Sequence, residues 1–355
     1  MSFTKNLSII HGFADEVLTE HELKTLFETK KKLIAYDGFE PSGNPHIAQG
    51  VIRALTINKL AKMGITFKMF VADWHAWANN KYGGDLDKIQ TCGKYLIEIW
   101  KASGMDLDNV KFVWASELVK DPEYWKKVMQ ISRHSTVRRI IRCGQIMGRK
   151  DGEVLQASQI LYPCMQCADI FTLKADIAQL GMDQRKVNVL ARELGEKLFG
   201  YKPVAIHHHM LMGLGQPPKK VEDRLLELKM SKSRPHTAIF MTDTKEMIDK
   251  KIKKAYCPEG ISEQNPILEY CKYLIFEKFK TITIERPKKF GGDVSFKEYS
   301  ELEKVYLKKK LHPMDLKNMV SLNIDKILKP TRDHFEKNKK AKELFEQVQS
   351  FTITR

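Results

Sequence analysis

This sequence predicts an α/β fold, in which a parallel sheet covered on both faces is followed by a second, mostly helical C-terminal domain. Short, near-continuous apolar runs at residues 33–39, 65–72 and 110–114 alternate with longer stretches whose apolar residues recur at helical spacing. Strands that are apolar on both sides need cover on both faces, and intervening helices supply it. From residue 245 onward the periodic segments are helical and charged instead. At 355 residues the chain also exceeds the usual reach of one hydrophobic core. The division is placed between an α/β unit at 1–238 and a helical unit at 239–355.

In chain order, Thr19 and Glu22 make a capping-box pair followed by Leu23, Leu26 and Phe27 at helical spacing, so a helix is expected ahead of the first strand at 33–39. After the turn 40–45, Ile47, Val51, Ala54 and Leu55 begin a helix that runs to Gly64, a suitable C′ residue. A strand at 65–72, a helix at 86–103 closed by Gly104 and a strand at 110–114 continue the alternation. Asp121 and Pro122 form an N-cap and N1 pair. They open a long helical region through the basic stretch 133–150, which reads as an insertion around 121–160. Strand-like runs at 176–180 and 203–208, with a helix at 183–198 between them, resume the pattern. Residues 213–235 are rich in glycine, proline and lysine, the composition of a loop that moves. Helical segments follow at 245–254, 265–280, 300–309, 313–328 and 341–348.

Lysine and arginine number 60 against 44 acidic residues, a net charge of +16 and a pI near 9.4. That surplus suits a polyanionic partner, nucleic acid first, although a lysine-rich composition by itself is also consistent with plain solvation. The mean hydropathy is −0.39. No stretch approaches the roughly 18 uncharged apolar residues of a membrane-spanning helix. Six scattered cysteines are too few for a disulfide scaffold and read as reduced thiols. Cys164 and Cys167 form a C-x-x-C, but nothing completes a zinc set, so no metal site is assigned. The start MSFTKNLSII carries no basic leader before an apolar core, and a cytosolic location is expected.

In an open parallel sheet, ligands settle outside the carboxyl ends of the strands, and phosphates meet a helix N-terminus. The turn after the first expected strand carries Pro45-His-Ile-Ala48, whose His46 can donate to a phosphate oxygen where helix N–H groups favour the same charge. Alone, such a histidine reads as a helix cap. Within the late loop stands Lys229-Met-Ser-Lys-Ser233, where the ammonium groups of Lys229 and Lys232 and the hydroxyl of Ser231 can close over a triphosphate.

Together these two segments resemble the HIGH and KMSKS signatures of class I aminoacyl-tRNA synthetases. Four further segments are Tyr36-Asp-Gly-Phe-Glu-Pro-Ser-Gly43, Ala72-Asp-Trp-His-Ala76, Tyr162-Pro-Cys-Met-Gln-Cys-Ala-Asp169 and Gly181-Met-Asp-Gln-Arg-Lys186. They are similar to tyrosyl-tRNA synthetases of the archaeal and eukaryotic type, and the likeness runs from about residue 36 to 329. Ala48 and Gln49 replace the glycine and second histidine of HIGH, so no catalytic role is assigned to Gln49.

The resemblance implies a Rossmann-like catalytic domain, a helical anticodon-binding domain and a homodimer. It also implies L-tyrosine, ATP with Mg²⁺, and tRNA(Tyr) as substrates. Tyrosine's carboxylate attacks the α-phosphate to give tyrosyl-adenylate and pyrophosphate, and the 3′-terminal ribose of tRNA then takes the acyl group. The nucleophile belongs to the substrate, so the protein contributes positioning and charge neutralisation, here by His46, Lys229 and Lys232. The phenol of a bound tyrosine needs a donor and an acceptor, which Tyr36 and Asp169 can supply. Tyr162, Gln166 and Gln184 are implied at its ammonium group, although Tyr162 and Gln166, four apart on one helical face, also suit a satisfied core. Arg185 and Lys186 are expected at the acceptor end of the tRNA, and Phe290, His312 and Asp315 at the anticodon. Arg138, Arg139 and Arg142 read as readily as a solvated helix face. The tract His207–His209 looks like a metal run but has no evident partners, and is expected to end a strand beside the ATP site. A tryptophan enzyme of the same class is the nearest rival, but indole offers no hydroxyl to Tyr36 and Asp169. A catalytically silent RNA-binding relative is disfavoured by the intact His46, Lys229 and Lys232.

Overall fold

The computed structural model describes residues 2–147, 155–218, 228, 230 and 234–351. Its main strands are β1 (Ala14–Leu18), β2 (Leu33–Phe39), β3 (Ile65–Val71), β4 (Val110–Trp114), β5 (Ile177–Gly181) and β6 (Val204–His208). They form one sheet in the order β1-β6-β5-β2-β3-β4. Strands β2 to β6 run parallel, as apolar runs separated by helices require. β1 pairs antiparallel with β6, and sequence reading missed it. Its five residues, four half-buried and Asp15 exposed, lie at the sheet's edge and include Glu16, so no apolar run marks it.

Side-chain alternation sorts the core into layers. Ala35, Met69, Val71, Ile177 and Ile206 face one side with Ile57, Leu96 and Trp100. Tyr36, Phe70, Ala178 and Leu180 face the other, under Tyr124, Ile131, Cys167 and Leu190. A third cluster joins the C-terminal helices to Ile47, Val51, Tyr95, Leu211 and Met241. From β2 the chain proceeds outward to β3 and β4, then returns to place β5 on the opposite side of β2. That reversal opens a crevice at the carboxyl ends of β2 and β5.

Several elements differ from the expected ones. The helix after His46 starts as a π-turn, Ala48–Ile52, before the α-helix Arg53–Ala61. The basic insertion breaks into Pro122–Arg133 and Val137–Cys143, because Thr136 Oγ1 accepts the Arg139 N–H and begins a new helix; residues 148–154 lie outside the described set. The run expected at 265–280 is Pro266–Tyr270, a π-turn Cys271–Ile275 and Phe276–Lys278. A three-residue hairpin, β7 (Ile282–Ile284) with β8 (Val294–Phe296), was too short to read. The helix expected to stop at 328 continues through Pro330 to Lys337, since Leu328, Thr331 and Phe335 are all buried. That burial outweighs the ~3 kcal/mol a proline costs inside a helix. No described helix is long and apolar enough to cross a membrane.

Gly93, in the helix Leu86–Ala102, lets that helix approach the sheet: a Cβ there would stand 2.5 Å from the Trp114 ring and 2.9 Å from Val71. Alanine gains about 1 kcal/mol of helix propensity, but overpacking against a rigid indole costs about 1–3 kcal/mol. Gly93→Ala is therefore expected to lower the thermal midpoint, and an unchanged or higher midpoint would contradict this packing.

Candidate active site

A cavity of about 250 Å³ fills the crevice, and its lining includes Tyr36, His46, Tyr162, Gln166, Asp169 and Gln184. Those six came from four separate sequence segments, and the fold brings them together. Met230 also lines the cavity. Its neighbours Lys229, Ser231 and Lys232 lie outside the described residues.

The helix Ala157–Thr172 carries one wall. Tyr162, Gln166 and Asp169 recur at helical spacing, so their side chains share a face. Asp169 is 1% exposed, a costly place for a carboxylate without partners. Tyr124 Oη donates to its Oδ1 at 2.9 Å, and His75 Nε2 lies 2.9 Å from its Oδ2. Burial pushes the His75 imidazole down, but the Asp169 carboxylate more than reverses this and leaves its pKa raised. The cationic form of His75 thus balances the buried anion.

Tyr36 projects from β2 against Phe70, their rings meeting edge to face with centroids 6.5 Å apart. Its buried hydroxyl makes no well-formed hydrogen bond among the described residues, although Gln166 is close enough to perturb it. Burial, reinforced by the Asp169 charge, pushes Tyr36 and Tyr124 well above the ordinary phenol range. Both hydroxyls keep their protons, and that of Tyr124 is donated to Asp169. The Gln166 amide donates to Gln184 Oε1 at 3.0 Å. Glu40 accepts from Asn79 at 3.0 Å and lies 3.5 Å from the Lys81 ammonium. With burial, Glu40 also raises the Tyr162 hydroxyl. Sequence reading assigned no role to His75 or Tyr124. His75 stood inside the family-like segment 72–76 and was findable; Tyr124 looks like any core position of its helix, beside Val128 and Ile131.

The opposite end is braced by backbone. The Ile47 N–H donates to Ile239 O at 2.8 Å and the Met241 N–H to Pro45 O at 3.0 Å, flanking the bridge between His46 and Phe240. The segment just beyond the late loop is thereby sewn to the His46 turn. Met230 N–H donates to Leu211 O at 3.0 Å and Gly213 N–H to Leu228 O at 2.8 Å, holding the residues on either side of position 229. Gln49 acts structurally, because its Oε1 accepts the His46 N–H at 3.3 Å and its carbonyl accepts from Trp100 Nε1 at 2.9 Å. Beneath lies a buried pair, Asp37 and Arg53, at 2.8 Å. Burial pushes Asp37 up to about 7 although Arg53 pulls the other way. Arg53 also donates to Gln179 at 2.5 Å and lies 3.2 Å from His208 Nδ1. Burial, then the Arg53 charge, lowers His208, so the ring is neutral and can accept.

The residues expected to meet RNA are spread more widely. Arg185 is exposed at the start of the helix Arg185–Phe199, and its guanidinium grips Glu16 of β1 at 2.8–3.1 Å. Lys186 is half-buried beside it. Arg139 pairs with Glu193 at 2.8 Å. Phe290 is 61% exposed, with the Lys289 ammonium 5.0 Å from its ring centre. His312 Nδ1 accepts from the Met314 N–H at 3.1 Å as the cap of helix Pro313–Lys337, and Asp315 sits in its first turn. Arg286 ties these two regions together, donating to Gly292 O at 2.9 Å and Lys310 O at 3.0 Å.

The histidine tract does end β6, but it has partners. His207 meets Glu16 and Asn188 at 2.9 Å, and His209 meets Asp15 at 3.1 Å and Glu269 at 3.3 Å. Two of these partners, Asp15 and Glu16, were hidden from sequence reading because they belong to the unrecognised β1. Among the described residues, no group of three or more His, Cys, Asp or Glu is placed to hold a metal ion.

Comparison with known proteins agrees with this geometry. The family described as tRNA synthetases class I (W and Y) matches residues 28–329. The cytoplasmic tyrosine–tRNA ligase 1 of Arabidopsis thaliana is 48% identical over 99% of this chain and 90% of its own length. The tyrosyl-tRNA synthetase of Pyrococcus horikoshii, solved with L-tyrosine, superposes with a TM-score of 0.90 at 39% identity, covering 98% of this chain and all of that one. The Leishmania major enzyme, solved with tyrosinol, gives 0.89 at 40% identity over 99% of this chain and 52% of its own. The chain belongs to the class I aminoacyl-tRNA synthetases of the tryptophan and tyrosine family.

Proposed function

We infer that this chain is a tyrosine–tRNA ligase, which activates L-tyrosine with ATP and transfers the tyrosyl group to the 3′ end of tRNA(Tyr). The observation that supports this reading is that Tyr36, Asp169 and His46 line one cavity. A phenol placed there donates to Asp169 and accepts from Tyr36. An indole or a plain phenyl ring would leave these buried groups unmatched, at about 1–3 kcal/mol for each unsatisfied group. Tyr162, Gln166 and Gln184 receive the ammonium group, which directs tyrosine's carboxylate toward the His46 end.

There His46, with Lys229, Ser231 and Lys232, holds the triphosphate. Positive charge and N–H donors fixed in advance around the α-phosphate stabilise the charge that builds as pyrophosphate leaves. Mg²⁺ in this reading travels with the nucleotide, where phosphates and water commonly hold it, and supplies further neutralisation. Residues 1–238 perform this chemistry and 239–355 read the tRNA, with Phe290 stacking, His312 and Asp315 beside it, and Arg185 and Lys186 near the acceptor end. The reading includes a homodimer and a cytoplasmic location, the latter supported by the name of the Arabidopsis relative.

Pyrophosphate exchange measured with each standard amino acid is expected to respond to tyrosine; a response to tryptophan alone would defeat the assignment. Lys232→Ala is expected to slow exchange by about a hundredfold, the scale of losing one donor to a developing charge. Phe290→Ala is expected to raise KM for tRNA by about tenfold, in keeping with one lost stacking contact. Exchange should stay unchanged in that variant, and a parallel loss in both assays would show that Phe290 acts on the fold instead.

A further inference from the structure

His209 sits where three parts of the molecule meet, one residue beyond β6. Its N–H donates to Phe13 O at 2.9 Å, just before β1. Its ring stacks on Tyr273 with centroids 4.3 Å apart and planes within 15°. Nδ1 lies 3.1 Å from the Asp15 carboxylate, and Nε2 faces Glu269 at 3.3 Å as an ion pair without a well-aligned hydrogen bond. The same Glu269 Oε2 accepts the Met212 N–H at 3.0 Å. Met212 lies within the short segment whose backbone holds Leu228 and Met230, the residues flanking Lys229.

We propose that His209 is a positioning residue for the ATP step. Bridging Asp15 and Glu269, it fixes the Leu211–Gly213 segment against the sheet and the C-terminal helices, and through it the flanks of Lys229. This rests on the tyrosine-activation reading and adds a residue that the motifs do not mark. Side-chain contact with ATP is not required of it.

The bridge holds only while the imidazole is charged. Burial alone pushes His209 down, but the Asp15 carboxylate that accepts from its ring and the facing Glu269 carboxylate reverse this and lift it to about 9. The other charged or titratable groups around it are neutral His208 on β6 and Tyr273, over whose ring the Lys272 ammonium lies at 4.9 Å. Arg53 stands behind His208, and Glu277 pairs with Lys59 at 2.7 Å across the neighbouring hollow. A raised pKa means the stabilisation is fully present below the ordinary 6.5 and is lost as pH rises through about 9.

The test is the pH profile of kcat/KM for ATP in tyrosine-dependent exchange, for wild type, His209→Gln and Glu269→Gln, with thermal midpoints alongside. Wild type is expected to show an alkaline limb near 9 that His209→Gln lacks and Glu269→Gln shifts to lower pH. At neutral pH, His209→Gln is expected to raise KM for ATP by about tenfold, as for one lost charged contact, with KM for tyrosine unchanged. A limb near 9 that survives in His209→Gln overturns the proposal, as does an equal rise in both KM values. Absence of tyrosine-dependent exchange in wild type would instead refute the activation reading, and with it the proposal.

Discussion

The cavity depends on partnering one deeply buried carboxylate. Asp169 is almost wholly buried, and an isolated anion there would not survive: it would take up a proton or draw in water. His75 and Tyr124 supply the two partners such a group needs. Because the His75 pKa is raised, its share of stability is fully present below the ordinary 6.5 and fades as pH rises through the folded value. Removing one partner of a buried pair typically costs about 3–5 kcal/mol, more than the pair contributes, because the other charge is left alone. The arrangement is thus weak as a stabiliser, and its proposed role is that of a selector, since an acceptor at depth is what a phenol needs and a phenyl ring cannot use.

Building such a site takes the whole sheet. Reversal of strand order beside β2 sets Tyr36 beside Ala178 of β5, and the helix before β5 delivers Tyr162, Gln166 and Asp169. The C-terminal helices close the other end. Phe335 and Phe345 pack around Tyr95 with centroids 5.2 and 6.0 Å away, and Gln349 donates to Asn44 at 2.5 Å, on the turn that leads to His46. The elements proposed to read tRNA therefore rest directly on those proposed to bind ATP, a mechanical continuity that one shared apolar cluster makes physical.

Much of this was legible because local rules and global fold agree. The strand 33–39, the Thr19–Glu22 capping box and the Asp121–Pro122 helix start appear where side-chain chemistry demands them. Of the six cavity residues, His46 was marked by its place in the turn after a strand, Tyr36 and Asp169 by what a phenol requires, and Tyr162, Gln166 and Gln184 by the family resemblance alone. What stayed hidden depends on long-range pairing. Tyr124 reaches Asp169 across 45 positions, and His207 and His209 find carboxylates more than 190 positions away on an edge strand with no apolar signature. Pro330 misled for a related reason, its helix being continued by burial that no local rule records.

The protonation state of His75 tests the central claim most directly. Nitrogen-15 spectra of the imidazole at pH 6.5, where an ordinary histidine is half charged, should show a predominantly cationic ring in wild type. In Asp169→Asn the same ring should become largely neutral, because burial is then opposed only by the smaller effects of Glu40 and Asp73. A neutral His75 in wild type, unmoved by Asp169→Asn, would contradict the account.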